Sequence, residues 1–144
     1  HTASGEGPYE AYNMPANSCG LLISYTGENT GLVQIAQILK QQQIPLIVIT
    51  SIGDNTLARS GDSQLRLTTR ERLYSKIGNF SINKSVCYLL DLLYSCVFAD
   101  NYAINLNHLI EMGERIDKRK TSSAIMTEES VEKTVQFKDS FRPN

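Results

Sequence analysis

The chain has 144 residues, of which 41% are apolar and 20% charged, the composition of a folded globular domain and not of a disordered chain. At that length one domain is expected. The 14 Lys and Arg against 15 Asp and Glu give a net charge of −1, which leaves no basic surplus for gripping nucleic acid directly. No uninterrupted apolar run reaches the ~18 residues of a membrane span.

Residues 1–18 are rich in Gly, Pro, Asn and Ser and carry no period, so they are expected to be irregular. With no basic start and no apolar core, they do not read as a secretory leader. CGLLIS, 19–24, is a short apolar run that reads as a strand. TGLVQIAQILKQQQ, 30–43, places Leu32, Ile35, Ala36 and Leu39 at helical spacing. Asn29 or Thr30 is a suitable N-cap for it. IPLIVIT, 44–50, is β-branched and unbroken in apolarity, the pattern of a strand covered on both faces. Pro45 stands at its start, where a missing N–H is tolerated.

NTLARSGD, 55–62, reads as one or two helical turns closed by Gly61. SQLRLTT, 63–69, alternates Leu65 and Leu67 with polar residues, as a less buried strand nearer an edge does. From Arg70 to Ala99 the pattern is helical with a break near Gly78, and Val86, Leu89, Leu90, Leu93 and Val97 form the stripe of its second part. A further helix, 101–120, aligns Tyr102, Leu106, Leu109, Gly113 and Ile116 and ends in Lys118, Arg119 and Lys120. Those cations complement the negative end of a helix dipole. The final stretch, from Thr127, reads as a short helix that frays.

Strands alternating with helices predict an α/β fold, a three-layer sandwich with a parallel sheet. Only three strands are legible, and an uncovered apolar edge invites pairing, so further strands are expected on the N-terminal side. The three cysteines, Cys19, Cys87 and Cys96, read as small buried apolar residues with free thiols. Cys87 and Cys96 fall on opposite faces of one helix, roughly 13 Å apart along its axis, too far to bridge. No Cys/His spacing for zinc is present, and no metal or cofactor is expected.

The most informative segment is LLISYTGENTG, 21–31. In a parallel sheet the turn between such a strand and helix lies at the carboxyl end of the strands, where ligands bind. The helix N-terminus offers free N–H groups and a partial positive charge. Ser24 and Thr26 add hydroxyls, Gly27 allows close backbone approach, and Asn29 adds an amide. Two readings fit: a neutral cradle for a phosphate monoester, and simple capping of a helix by a polar turn. The segment has neither the GxxxxGK[ST] of a nucleotide-triphosphate loop nor the GxGxxG of a dinucleotide fold.

ISYTGENT resembles the Ser-x-Ser-Gly-x-Thr loop of SIS (sugar isomerase) domains, which bind phosphosugars. IPLIVITSIGDNTLARSGDSQLRL is similar to the strand, Thr-Ser, Leu-Ala, Asp and strand pattern that follows in that family. SINKSVCYLLDLLYSCVF and NLNHLIEMGERIDKRKTSS resemble the long helix, closing helix and tail of its RpiR-type transcription regulators. The likeness covers roughly residues 19–123, leaving 1–18 as a remnant and 124–144 as a C-terminal tail. It places Ser24 and Thr26 at the two hydroxyl positions of the loop and Gly27 at its glycine. Asn29 stands where the family has Thr, with Thr30 beside it. Glu71 sits where the subgroup often carries a Glu, either touching sugar hydroxyls or beginning a helix.

The resemblance implies a phosphosugar-sensing domain of a bacterial transcription regulator of carbohydrate metabolism. Such a protein is cytoplasmic, not membrane-bound, and a homo-oligomer, dimer or tetramer. It meets DNA through an N-terminal helix-turn-helix domain that these residues do not include. No catalytic residue is expected. A sugar-phosphate isomerase or lyase is the alternative, and an assembly module with a degenerate site is a third reading. Aldose–ketose isomerisation needs a base beside the carbonyl, usually Glu or His. His108 points away from the apolar stripe of its helix, and Glu28, repelled by a phosphate, is expected to face solvent or a subunit contact.

Overall fold

The structure, a computed structural model, describes residues 5–116. The elements in chain order are α1 (Gly7–Tyr12), β1 (Gly20–Ser24), α2 (Thr30–Gln41), β2 (Leu46–Ser51), α3 (Thr56–Ser60), β3 (Ser63–Leu67), α4 (Phe80–Asp100) and α5 (Tyr102–Ile116). By contacts the chain divides into two compact units, with the boundary between Leu93 and Tyr94 inside α4.

In the first unit the three strands form one parallel sheet in the order β1-β2-β3. The strand with unbroken apolarity, β2, is the central one. Its Ile49 is aligned with Ile23 on one side and Leu65 on the other. Alternate β2 residues serve opposite faces, as the pleat requires. Leu46 and Val48 join a core with Leu22, Ala36, Leu39, Ile44 and Leu57, which places α2 and α3 on one face. Ile49 joins Leu67 and Ile82 on the other, with Val86, Leu89 and Leu90 of α4 packed against them. The result is the expected three layers, helices over both faces of a parallel sheet.

Local chemistry fixes these placements. A Cβ on Gly20 would come within 2.6 Å of Leu39 Cδ1, so a larger residue there would make the Leu39 side chain shift where α2 packs on the start of β1. Asp62 ties the entry of β3 to the start of β2. Its N–H donates to Leu46 O at 2.9 Å, and its carboxylate accepts the Leu46 N–H at 2.8 Å.

Several expectations need correction. Residues 1–18 are not wholly irregular, because α1 forms with Pro8 in its first turn, where proline costs no helical hydrogen bond. Ala11 of α1 is buried in the core beside α2, and Gln42 Nε2 donates to Tyr12 O at 2.6 Å. Residues 70–79 are not helical. The long helix begins only at Phe80, just after Gly78 and Asn79. The cysteines are free, but all three are exposed. The helix α4 has 21 residues and a mean hydropathy of 1.3 in its most apolar window, enough to cross a membrane by length and composition alone. Asn83, Lys84 and Asp91 punctuate the helix, so the expectation that no uninterrupted apolar run reaches that length stands. Its first half is spent on the sheet through Ile82, Val86, Leu89 and Leu90.

In the second unit, Tyr94, Phe98 and Tyr102 form a ladder with ring centroids 5.8 and 5.7 Å apart. Asn105 Nδ2 donates to Phe98 O at 3.0 Å. The stripe expected to face a core on α5 is outward in this chain, with Tyr102 51%, Leu109 45% and Ile116 72% exposed. The basic run at 118–120 and the final stretch lie outside the described residues.

Leu39 is 1% exposed and fills the space over Gly20. Leu39→Ala should lower unfolding free energy by about 2–5 kcal/mol, read from urea denaturation midpoints at unchanged slope.

Candidate functional site

The loops that leave β1, β2 and β3 all emerge at the carboxyl edge of the parallel sheet, the edge where open α/β sheets bind ligands. Ser24, Thr26, Gly27, Asn29 and Thr30 fall together in the first of these loops. Ser24 Oγ accepts the Gly27 N–H at 3.2 Å, and Thr26 Oγ1 accepts the Glu28 N–H at 3.3 Å. Asn29, in extended conformation, is the N-cap of α2, its Oδ1 accepting the Leu32 N–H at 3.0 Å.

The capping reading is therefore realised, and it narrows the cradle reading. The N–H groups of Gly27, Glu28 and Leu32 already have acceptors and are not free for an anion. Both hydroxyls, however, spend only lone pairs on the loop and keep a proton to donate. The first-turn N–H groups of Thr30 and Gly31 have no acceptor within α2, and the positive end of the helix dipole lies there. Thr26, Asn29 and Thr30 are exposed, Ser24 is half-buried and Gly27 is buried.

Gly27 is buried because the loop is docked on α3. Its φ is +68°, and a Cβ there would fall 1.9 Å from Asn55 Oδ1. Asn55 is itself buried. Its Oδ1 accepts the Ala58 N–H at 2.9 Å, capping α3, and its Nδ2 reaches Thr50 Oγ1 and Gly53 O, both at 3.1 Å. The Leu57 N–H donates to Gly27 O at 2.9 Å.

Glu28 is exposed, one of the two outcomes expected for it, yet its carboxylate is engaged within the chain. Its carboxylate takes the Thr56 N–H at 2.8 Å and the Thr56 hydroxyl at 2.7 Å. The positive end of α3 offers a carboxylate a better place than open water. These Thr56 bonds, backbone first, hold the Glu28 carboxyl below its ordinary value of 4.5, and Arg59 adds to the effect.

Glu71 lies on the segment after β3, joined to the first loop by Tyr25. The Tyr25 hydroxyl sits 2.9 Å from Thr69 O and 3.0 Å from Glu71 O, its one proton shared. Of the two roles open to Glu71, beginning a helix is the one its Oε1 performs. That oxygen accepts from Ser81 N at 2.6 Å, from Ile82 N at 3.1 Å and from the Ser81 hydroxyl. The Ser81 hydroxyl is the largest cause of a Glu71 pKa below the ordinary 4.5. Lys76 stands near, its Nζ 5.6 Å from the Tyr25 ring centroid.

Tyr25, Asn55 and Lys76 were not singled out from the sequence. Asn55 carried a usable signal, an Asn directly before a short helical pattern. Tyr25 and Lys76 carried none, since their partners lie far along the chain. His108 is exposed on α5. Among the described residues no three His, Cys, Asp or Glu side chains gather to hold a metal.

Two outcomes test this geometry. Gly27→Ala should cost about 2–4 kcal/mol of stability, since the backbone conformation disfavours a Cβ and Asn55 must give up its cap. Calorimetric melting reads this directly. The second outcome concerns acid. The folded chain holds Glu28 ionised more readily than the unfolded chain does, so the stabilisation is present above about pH 4.5 and fades as pH falls through the depressed value. The melting-temperature difference between the wild type and Glu28→Gln should be largest near neutrality and shrink toward pH 3.

Comparison with known proteins agrees with this architecture. Residues 8–95 match the family model described as SIS domain. An uncharacterized HTH-type transcriptional regulator of Clostridium perfringens (strain 13 / Type A) is 27% identical over 107 residues, 74% of this chain and 34% of the relative. The chain thus spans about a third of that relative's length. Among solved structures, the Vibrio vulnificus NanR protein complexed with ManNAc-6P shares the fold with a TM-score of 0.65 at 16% identity, over 78% of this chain and 43% of that one. The family match runs from α1 into the second half of α4 and takes in every strand described above, and on it this chain is a member of the SIS domain family.

Proposed function

We propose that the chain is the effector-sensing domain of a bacterial transcriptional regulator of carbohydrate metabolism, and that the effector is a phosphorylated sugar. The observation that carries this reading is the pair of hydroxyls, Ser24 and Thr26, which are fixed by the loop's own N–H groups yet keep their protons beside the N-terminus of α2. A phosphate dianion there is met by donors and a helix dipole. Gly27 and Asn29 act by shaping the loop, Thr30 by its N–H, and Glu71 from the neighbouring segment. The names of the relatives support the same reading, one an HTH-type regulator and the other complexed with a sugar phosphate.

A sensing role, not an isomerase or lyase, is supported by the state of the nearby acids. A general base works best with a pKa near the operating pH. Glu28 and Glu71 are instead engaged at helix N-termini and held below 4.5. In this reading the regulator is cytoplasmic and meets DNA through a helix-turn-helix domain outside these residues. It is a homo-oligomer, dimer or tetramer. Exposed Tyr88 and Leu92 in the first unit, and Tyr94 and Tyr102 in the second, support that assembly.

The test is calorimetric titration of the regulator with N-acetylmannosamine 6-phosphate, glucose 6-phosphate and the unphosphorylated sugars. Hydrogen bonds to charged groups contribute about 1.5–3 kcal/mol each. Replacing both Ser24 and Thr26 by Ala should weaken the preferred sugar phosphate by roughly 10²-fold or more while the fold persists. Equal affinity with and without the phosphate, or in wild type and double variant, would remove the cradle and leave only capping.

A further inference from the structure

Between the end of β3 and the first turns of α4 lies a cavity of about 390 Å³, within the size range of small-molecule sites. Its lining divides by chemistry. Arg66 from β3 and Lys84 from α4 are its charged groups, and no acid lines it. Thr68, Ser85 and Tyr88 add hydroxyls, while Leu67 and Leu89 give it an apolar surface. The side chain of Tyr88 is exposed, so its ring is open to contact.

Neither cation is neutralised. Arg66 gives Nη1 to Ser51 O at 2.9 Å and Gly53 O at 3.0 Å, and Nη2 to Gln64 Oε1 at 2.6 Å. These acceptors are uncharged. They fix the guanidinium in place and leave its charge and two of its five N–H donors unused. Lys84 has no ion pair among the described residues. The surplus is regional. From residue 66 to residue 84 five cations, Arg66, Arg70, Arg72, Lys76 and Lys84, stand against the single acid Glu71, in a chain of net charge −1. Glu71 is itself turned to the start of α4. A concave surface lined by one sign of charge and apolar walls concentrates the opposite charge. A bare inorganic anion would leave Leu67 and Leu89 uncovered, and an uncharged apolar molecule would leave both cations unanswered.

We infer that this cavity is a second binding site, for a small organic anion that carries one phosphate or carboxylate group on a flat apolar body. Arg66 and Lys84 answer the charge, and Leu67, Leu89 and the Tyr88 ring cover the body. The site is separate from the loop after β1. With β2 between them, β1 and β3 lie about 10 Å apart. The inference does not rest on the effector reading above.

The experiment titrates the chain with phenyl phosphate, inorganic phosphate and uncharged benzyl alcohol, followed by amide NMR, which reports where each one binds. Phenyl phosphate should shift the Thr68 and Ser85 amides at millimolar concentration, and should do so equally when Ser24 and Thr26 are both replaced by Ala. Lys84→Met, an exposed helix position, should weaken that binding tenfold or more at unchanged melting temperature. Tyr88→Ala should weaken phenyl phosphate and leave inorganic phosphate as it was. Shifts confined to the loop at 24–30, equal binding by Lys84→Met, or benzyl alcohol binding as well as phenyl phosphate would each overturn the site. So would a change of oligomer mass in Lys84→Met, read by light scattering, since the cavity would then be a contact between copies. If the cavity shifts persist but no sugar phosphate binds the loop, the second site stands and the effector reading falls.

Discussion

Asn55 has a single carboxamide and three partners, spread over the end of one strand, the turn after it and the start of the next helix. It holds the end of β2 through Thr50, the turn through Gly53 and the start of α3 through Ala58. The loop after β1 closes against it at a point where only a hydrogen fits on the Gly27 Cα. Because the amide is buried and its bonds are all made, none of these segments can shift alone without leaving a polar group unpaired. The position of Ser24 and Thr26 relative to the sheet is inherited from that constraint.

The acids around the site obey a related economy. Glu28, in the loop after β1, places its carboxylate on the first turn of α3, the helix after the neighbouring strand, and Glu71, in the segment after β3, places its own on the first turn of α4, into which that segment leads. A helix start binds negative charge wherever it comes from. These two starts are filled by the protein's own carboxylates, while that of α2 is capped by a neutral Asn29 amide. The difference leaves the α2 terminus as the one of these three whose dipole is not already balanced by a protein charge.

How much of this was legible in the sequence follows from the range of each interaction. The strands, the covering of β2 on both faces and a cap at Asn29 or Thr30 were readable because period, β-branching and capping are local signals. The irregular 70–79 stretch was read as helix because Leu73, Tyr74 and Ile77 have helical spacing, and they prove 61%, 92% and 98% exposed. Apolar spacing says nothing of whether a surface waits to receive it. The short α1 was missed because six residues give no full period, and it is held by packing on α2. The cysteines were misjudged by residue type alone. Within the site, the loop residues were found together, but the Thr56 partner of Glu28 lies 28 positions away and the Thr69 partner of Tyr25 lies 44 away. No local pattern encodes such pairs.

The register of the sheet also bears on how the chain finds its fold. Gly20 meets Leu46 across 26 positions, and Ile47 meets Ser63 across 16. Loop-closure entropy grows only with the logarithm of length, so the two pairings differ in closure cost by about 0.4 kcal/mol, less than thermal energy. Chain entropy therefore does not decide which crossover zips first. The decision passes to enthalpic clips near the closure points, and the paired bonds between Asp62 and Leu46 form such a clip for the shorter crossover. The Gly20 N–H, donating to Pro45 O at 2.8 Å, is the corresponding clip for the longer crossover, one bond against two.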